Sequence, residues 1–381
     1  MVVLHTTTLG WGGTEGHVVD LASGFRRLGL PHCIIVDEPP LDRIGALNQL
    51  GSHVRLVSPG RGVDESQYRP NLTEILKSLA PRLVHVNAWK RRNHIFETTR
   101  QLGIPTVETI HATVKYNWRW RYLICRHPIA VGRDRLAYRR ADPFVINVSD
   151  LSNAQFRKQY PFISRTVRIY CGAELPSCPN EIGSTNDLTV LWIGSLIARK
   201  RPRLALQTWR NDDVRATGAR LVLIGDGPER QWLQREAESI SDRVVLAGAV
   251  PDLRPYLSEA SVLMCTSTDE GIPKSIRYAM NFGIPVVSSA VGAIPEVLTD
   301  GCHGFLFEPE DSLKMEEGLV ALLTNASLRQ ELGRNARRQG ESLFDLDRMT
   351  KDVIQVYERV AGSIPRVEPH DQTGSVPSDL T

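Results

Sequence analysis

Residues 269–309 read DEGIPKSIRYAMNFGIPVVSSAVGAIPEVLTDGCHGFLFEP, and this stretch decides how the chain is interpreted. The apolar run SVLMCTS before it predicts a strand that ends at a loop carrying Glu270. A helix is expected to start near Pro273, where proline is compatible with a first helical turn. The free backbone N–H groups of such a helix start can hold a negative group, and a diphosphate or a cluster of hydroxyls would both fit there.

Outward from this stretch, the same rhythm runs through most of the chain. In the first half, VVLHTTT, HCIIVDE, RLVHVN, PTVETIH and FVINVSD are short β-branched runs separated by helical patterns, the first of them Glu15 to Leu28. After the polar segment GAELPSCPNEIGSTND the pattern restarts with LTVLWIGS, ARLVLIGDG, RVVLAGAV, SVLMCTS and IPVVSSAVG. Strand and crossover helix in alternation is the signature of a parallel sheet, so the reading is α/β with two doubly wound domains. The expected boundaries are 1–173 for the first domain and 188–345 for the second. Residues 346–361, with Met349, Val353, Val356, Tyr357 and Val360 at helical spacing, form a C-terminal helix expected to pack back toward the first domain. Residues 362–381 show no periodic apolar face and read as a disordered tail. Ligand-facing loops belong at the carboxyl ends of the strands, so a central cleft faced by both domains is the expected site.

Composition sets limits on function. At 381 residues, 41% hydrophobic and 23% charged, the chain suits two globular domains and neither a disordered nor a fibrous protein. No run approaches the roughly 18 apolar residues of a membrane span, and the N-terminus lacks a signal-peptide pattern, so a cytoplasmic protein is expected. The six cysteines are scattered and no pair has zinc-ligand spacing, which argues against a disulfide frame and a structural zinc site. The net charge of +3 hides an asymmetry: residues 1–173 hold 24 Lys/Arg against 13 Asp/Glu (+11), and the remainder 22 against 30 (−8). A basic first domain suits an anionic partner such as a membrane surface or a phosphorylated acceptor, although chance asymmetry of solvated faces is an equal alternative. Within it, Lys115 to Arg140 carries eight Lys/Arg and one acidic residue, interleaved with Trp118, Trp120 and Tyr122. That mix fits peripheral contact with an anionic membrane at the cytosolic face, or a surface helix with its aromatics turned inward. No nucleic-acid-binding module accompanies the charge.

Arg199 and Lys200 follow a strand and the turn at Gly194, placing a guanidinium and an ammonium at the expected mouth of the cleft. Two fixed cations there would neutralise a leaving diphosphate, stabilising charge that grows as the bond breaks. A solvated basic turn continued by Arg201 and Arg203 is the plainer alternative. Gly12 and Gly13 lie in the loop after the first strand, where missing side chains allow close backbone approach to phosphate or simply a tight strand-to-helix turn. A nicotinamide-linked dehydrogenase is the rival reading of that loop, but counting from Gly10, the third glycine position of a dinucleotide fingerprint holds Glu15.

Seven blocks occur in a fixed order: LGWGGTEGHVVDLASGFRRLG, IHA, ADPFVINVSD, IGSLIARKRP, LVLIGDGPER, VVLAGAVPDLRPYLSEASVLMCTS and the Glu270 segment. In this order they resemble the family 4 type of GT-B glycosyltransferase over most of residues 1–361. The resemblance implies two Rossmann-like domains and transfer of a sugar from a nucleoside-diphosphate sugar, with retention, to a sugar or glycolipid acceptor. It also implies no metal and no cofactor. It assigns Arg199 and Lys200 to the leaving diphosphate, Glu270 to sugar hydroxyls, and His111 to orienting the donor sugar or acceptor. Donor contacts are implied for Gly12, Gly13, Gly194, Gly271, Ile272, Pro273, Lys274, Ser275 and position 278. There the family's second glutamate is replaced by Tyr278, a neutral phenol where a ribose-binding carboxylate is implied. That departure leaves open a non-catalytic subunit that binds sugar nucleotides.

Overall fold

A computed structural model of the chain describes residues 1–10, 12–38, 52–57, 65–87, 90–111, 127–173 and 187–366. Two compact units emerge: unit 1 comprises Met1–Cys171 with Leu346–Thr381, and unit 2 comprises Gly172–Asp345. The expected tail and the aromatic residues Trp118, Trp120 and Tyr122 lie outside the described residues, apart from 362–366 at the start of the former.

Among its described residues unit 1 is a parallel sheet of seven strands, β1 (Val2–Thr6), β2 (His32–Val36), β3 (His53–Leu56), β4 (Leu83–Val86), β5 (Thr106–Ile110), β6 (Phe144–Asn147) and β7 (Thr166–Arg168), in the order β3-β2-β1-β4-β5-β6-β7. Side chains alternate across a strand, so VVLHT and HCIIV feed two cores. Val2, Leu4, Ile34 and Val36 pack with Val18, Leu21 and Phe25 of helix Gly13–Arg27 and with Met349, Val353, Val356 and Tyr357 of helix Leu346–Ala361. On the other face Val3, Cys33, Ile35 and Val86 meet Tyr68, Leu72, Phe96, Tyr138 and Phe156.

Two buried polar arrangements fix the helices of unit 1. His85 of β4 bonds through Nδ1 to the Tyr357 hydroxyl at 2.6 Å and through Nε2 to the Thr109 hydroxyl at 2.7 Å. Burial, with a smaller contribution from nearby His111, pushes the His85 imidazole down to about 3, so it is neutral and one ring nitrogen accepts while the other donates. Across the sheet Arg92 donates to Glu108 at 3.2 Å, to the Tyr138 hydroxyl at 3.1 Å and to Asp134. Tyr138 donates to Glu108 at 2.6 Å, and Tyr160 donates to Asp134. Burial pushes the Glu108 carboxyl up in spite of the guanidinium beside it. Tyr138 and Asp134 belong to helix His127–Ala141, which they anchor by one face, while Arg133, Arg135, Arg139 and Arg140 of the same helix stay exposed.

Among its described residues unit 2 repeats the plan with six parallel strands, β8 (Thr189–Ile193), β9 (Arg220–Ile224), β10 (Val244–Gly248), β11 (Val262–Cys265), β12 (Val286–Ser289) and β13 (Gly304–Phe307), ordered β10-β9-β8-β11-β12-β13. Its core gathers Val190, Trp192, Leu206, Trp209, Leu221, Leu223, Met264, Leu319 and Leu322. Strand β11 is shorter than SVLMCTS suggested, because Thr266 and Ser267 spend their hydroxyls on the loops beyond it. In both sheets the strand order reverses beside the first strand of the unit, at β1/β4 and at β8/β11. The loops leaving the carboxyl ends of those strand pairs diverge, and the crevice so formed is where open α/β sheets bind ligands.

Candidate functional site

The reversal point of unit 2 gathers most of the residues expected from sequence. The loop after β8 makes a 3₁₀ turn at Ala198–Lys200, with Arg201 left-handed at φ 50° and Pro202 opening the next helix. The loop after β11 carries Glu270. Lys200 Nζ donates to Glu270 Oε1, Ser267 Oγ donates to the same oxygen at 2.7 Å, and Arg199 Nη1 stands 3.5 Å from Oε2. Arg199 also donates to the Asp269 carbonyl at 2.6 Å. Glu270 is 7% exposed, Lys200 18% and Arg199 47%, so the carboxylate is enclosed while the guanidinium faces water. The resemblance gave Arg199 and Lys200 one task and Glu270 another; the structure joins the three side chains in one cluster with a net charge of +1.

Hydrogen bonds and close backbone packing bring the two loops together. Thr266 accepts from the Trp192 indole at 3.0 Å and donates to the main chain at Lys200 and Arg201, 2.9 Å from each carbonyl. The Thr268 amide donates to the Arg199 carbonyl at 2.9 Å. A β-carbon at Gly194 would crowd the Trp192 ring at 3.3 Å and come into ordinary contact with Lys200 Cδ at 3.7 Å. Gly225, at φ 140°, sits so close to Gly194 that a β-carbon would overlap its carbonyl. Gly292, at φ 57°, does the same for Glu270, whose carbonyl accepts from the Ala293 amide at 3.3 Å.

Helix Lys274–Phe282 follows Glu270 at once. Pro273 is its N-cap, no side chain caps it, and its first turn contains no acidic residue. Gly271, Ile272, Pro273, Lys274 and Ser275 therefore present a helix start of positive potential beside the cluster. Lys274 holds its ammonium 5.0 Å above the ring of half-buried Tyr278, one turn along. A glutamate at 278 would give this helix face a charged acceptor; the phenol gives it an aromatic surface already engaged by a cation.

His111, Gly12 and Gly13 belong to unit 1, at its own reversal point. His111 follows β5, lies 3.4 Å through Nε2 from Asn87 Oδ1, and meets the His17 ring edge to face with centroids 4.8 Å apart. Asn87 closes β4 and is 1% exposed. Gly12 caps helix Gly13–Arg27, and the Glu15 carboxylate folds back over it while accepting from Thr8 at 3.2 Å. An anionic side chain thus lies over the helix start where the glycines were expected to approach phosphate.

Sequence reasoning missed Ser267, Thr266, Asn87, His17 and Glu15. Glu15, His17, Thr266 and Ser267 stand inside quoted blocks and Asn87 ends the quoted run RLVHVN, but only the fold brings them beside the named residues. Among the described residues no three His, Cys, Asp or Glu side chains are grouped to hold a metal ion, and no helix is long and apolar enough to cross a membrane.

Comparison with known proteins points one way. The family model described as Glycosyltransferase Family 4 matches residues 11–175, and that described as Glycosyl transferases group 1 matches residues 187–325. The chain is 27% identical over 227 residues to N-acetyl-alpha-D-glucosaminyl L-malate synthase of Bacillus anthracis, covering 59% of this chain and 57% of that protein. It is 25% identical over 173 residues to a Campylobacter jejuni alpha-1,4-N-acetyl-D-galactosaminyltransferase that acts on a diNAcBac-PP-undecaprenol-linked acceptor, covering 45% and 48%. The chain thus spans about half the length of these curated relatives. Among solved structures, Anabaena Alr3699/HepE in complex with UDP and glucose matches with a TM-score of 0.78 at 18% identity, over 94% of this chain and 99% of that one. Taken with its two doubly wound sheets, these matches show that the chain belongs to the group 1 and family 4 type of GT-B glycosyltransferases.

Proposed function

We propose that the protein transfers a sugar from a nucleoside-diphosphate sugar to an acceptor hydroxyl, retaining the anomeric configuration and using no metal. The observation that carries this reading is the Arg199–Lys200–Glu270 cluster at the β8/β11 reversal point, beside an uncapped helix start. The bond between the anomeric carbon and the diphosphate oxygen breaks as the acceptor oxygen bonds to the same face. The acceptor proton passes to the departing phosphate oxygen, and the products are the glycoside and the nucleoside diphosphate.

Lys200 and Arg199 supply fixed positive charge where negative charge grows on the leaving group. One of the three ammonium N–H groups of Lys200 is committed to Glu270, and that bond aims the rest. Glu270 binds sugar hydroxyls with the lone pairs left over from Ser267 and Lys200, and Gly194 and Gly271 to Ser275 line the donor's path. In unit 1, His111 orients the donor sugar or the acceptor, and the Gly12–Gly13 loop meets the acceptor. UDP is the first nucleotide to try, since Anabaena Alr3699/HepE holds it. The lipid-linked acceptor of the Campylobacter relative makes a sugar on an anionic lipid carrier the first acceptor class to try, with the basic segment 115–140 meeting the cytosolic membrane face.

A panel of nucleotide sugars screened by thermal shift, followed by release of nucleoside diphosphate in the presence of candidate acceptors, tests this. One or more donors should raise the melting temperature and turn over. Stabilisation without any turnover would favour the non-catalytic binding subunit, and no response to any nucleotide sugar would end the reading.

A further inference from the structure

Helix Lys274–Phe282 begins at the proposed donor site and, one turn later, holds the place where the chain enters and leaves unit 2. Arg277 is 3% exposed, and its Nη1 donates to the Gly172 carbonyl at 2.6 Å. Asn281, fully buried, donates from Nδ2 to the Ala173 carbonyl at 3.3 Å. The Ala173 amide donates to the Phe344 carbonyl at 2.9 Å, and Ala173 pairs with Asp345 in a parallel bridge. Both passages of the chain, at Cys171–Gly172 and at Asp345–Leu346, are therefore tied to each other and to this helix.

A guanidinium is costly to bury, and Ile276, Ala279 and Met280 around it show that apolar side chains already pack this helix. Its hydrogen bond to a main-chain carbonyl is what an apolar residue at 277 could not provide. Gly340 adds a second constraint: a β-carbon there would lie 3.0 Å from the Asn281 nitrogen and the Met280 carbonyl carbon, so helix Ala326–Leu343 meets this one backbone to backbone. A nine-residue helix is about 13 Å long and moves as one body.

We propose that Arg277, assisted by Asn281, is a positioning residue that fixes the first turn of the donor-site helix against the chain passage at Gly172–Ala173, so that a nucleoside diphosphate bound at the helix start is registered at that passage. This rests on the donor-site reading above.

Amide hydrogen exchange at Ala173, followed by NMR in the full chain with and without UDP, tests it. In the unsubstituted protein UDP slows that exchange at least tenfold. In Arg277→Met and Arg277→Lys, UDP still raises the melting temperature, the slowing at Ala173 falls below twofold, and kcat drops while KM for the donor holds. Slowing that persists in both variants, or is missing from the unsubstituted protein although UDP stabilises it, overturns the proposal. Should Arg277→Met not fold, Arg277→Lys and Asn281→Ser make the same comparison. Should UDP leave the unsubstituted protein's melting temperature unchanged, the UDP reading fails and the ligand-free exchange decides: a tenfold faster Ala173 amide in Arg277→Lys supports the anchor, and an unchanged one overturns it.

Discussion

Acid should weaken unit 1 through His85, and the size of the effect follows from its burial. The imidazole titrates near 6.5 in an unfolded chain and is held down to about 3 in the fold. A lowered folded value means that the unfolded chain binds the extra proton first. The stability at stake is therefore fully present above pH 6.5 and is lost as the pH falls from 6.5 toward 3. Each pH unit inside that window costs about 1.4 kcal/mol, so roughly 2 kcal/mol is gone at pH 5 and about 5 kcal/mol near pH 3. His85→Gln keeps an amide able to donate to one hydroxyl and accept from the other, but it cannot titrate. Urea unfolding at half-unit steps from pH 7 to pH 4 should give a steeper loss for the unsubstituted protein than for the variant, by about 1 kcal/mol per unit or more in the lower half of the range. His85→Gln is expected to be less stable at pH 7, so the slopes carry the comparison and the absolute values do not. Parallel slopes would refute the reasoning, and so would an NMR titration placing the folded His85 near 6.

Removing the Lys200 ammonium, as in Lys200→Ala, should lower turnover by roughly two orders of magnitude or more, the scale of losing one charge-stabilising donor; steady-state rates near those of the unsubstituted enzyme would contradict its role. Tyr278→Glu should tighten donor binding if the phenol merely weakens ribose contact, and calorimetry with UDP together with rates would expose the opposite case, in which the tyrosine and Lys274 serve the site and activity falls. Gly292→Ala should lose about 1–3 kcal/mol of stability together with most activity, because position 292 is left-handed and its β-carbon would strike the Glu270 main chain. An unaltered melting temperature and rate in that variant would show that the loop is not what braces the glutamate.

The sheets were legible because burial on both faces leaves near-continuous β-branched runs such as TVLWI and HCIIV, and the amphipathic spacing of Met349, Val353, Val356 and Tyr357 announced the helix Leu346–Ala361. The site was legible at the level of loops: Lys200 and Glu270 each follow a strand, and those strands lie side by side at the reversal point. Their direct pairing was not legible, since it joins residues 70 positions apart and depends on Thr266 and Ser267 turning hydroxyls outward from what reads as more strand. Gly225 and Gly292 were equally silent, because their need for positive φ arises from a backbone that only the fold brings near. His85 was hidden for the same reason: its partner Tyr357 is 272 positions away.

The interrupted course of unit 1 has a consequence for how the protein is made. Val2, Leu4, Phe25 and Ile34 emerge from the ribosome early, yet Met349, Val353 and Tyr357, which cover them, are translated only after all of unit 2. Throughout that interval one face of the nascent first sheet is covered only in part, by helix Gly13–Arg27, and His85 waits without its phenol. Assembly of the N-terminal half therefore finishes last, and the newborn chain depends on unit 2 folding promptly or on a holdase to shield that surface from its neighbours.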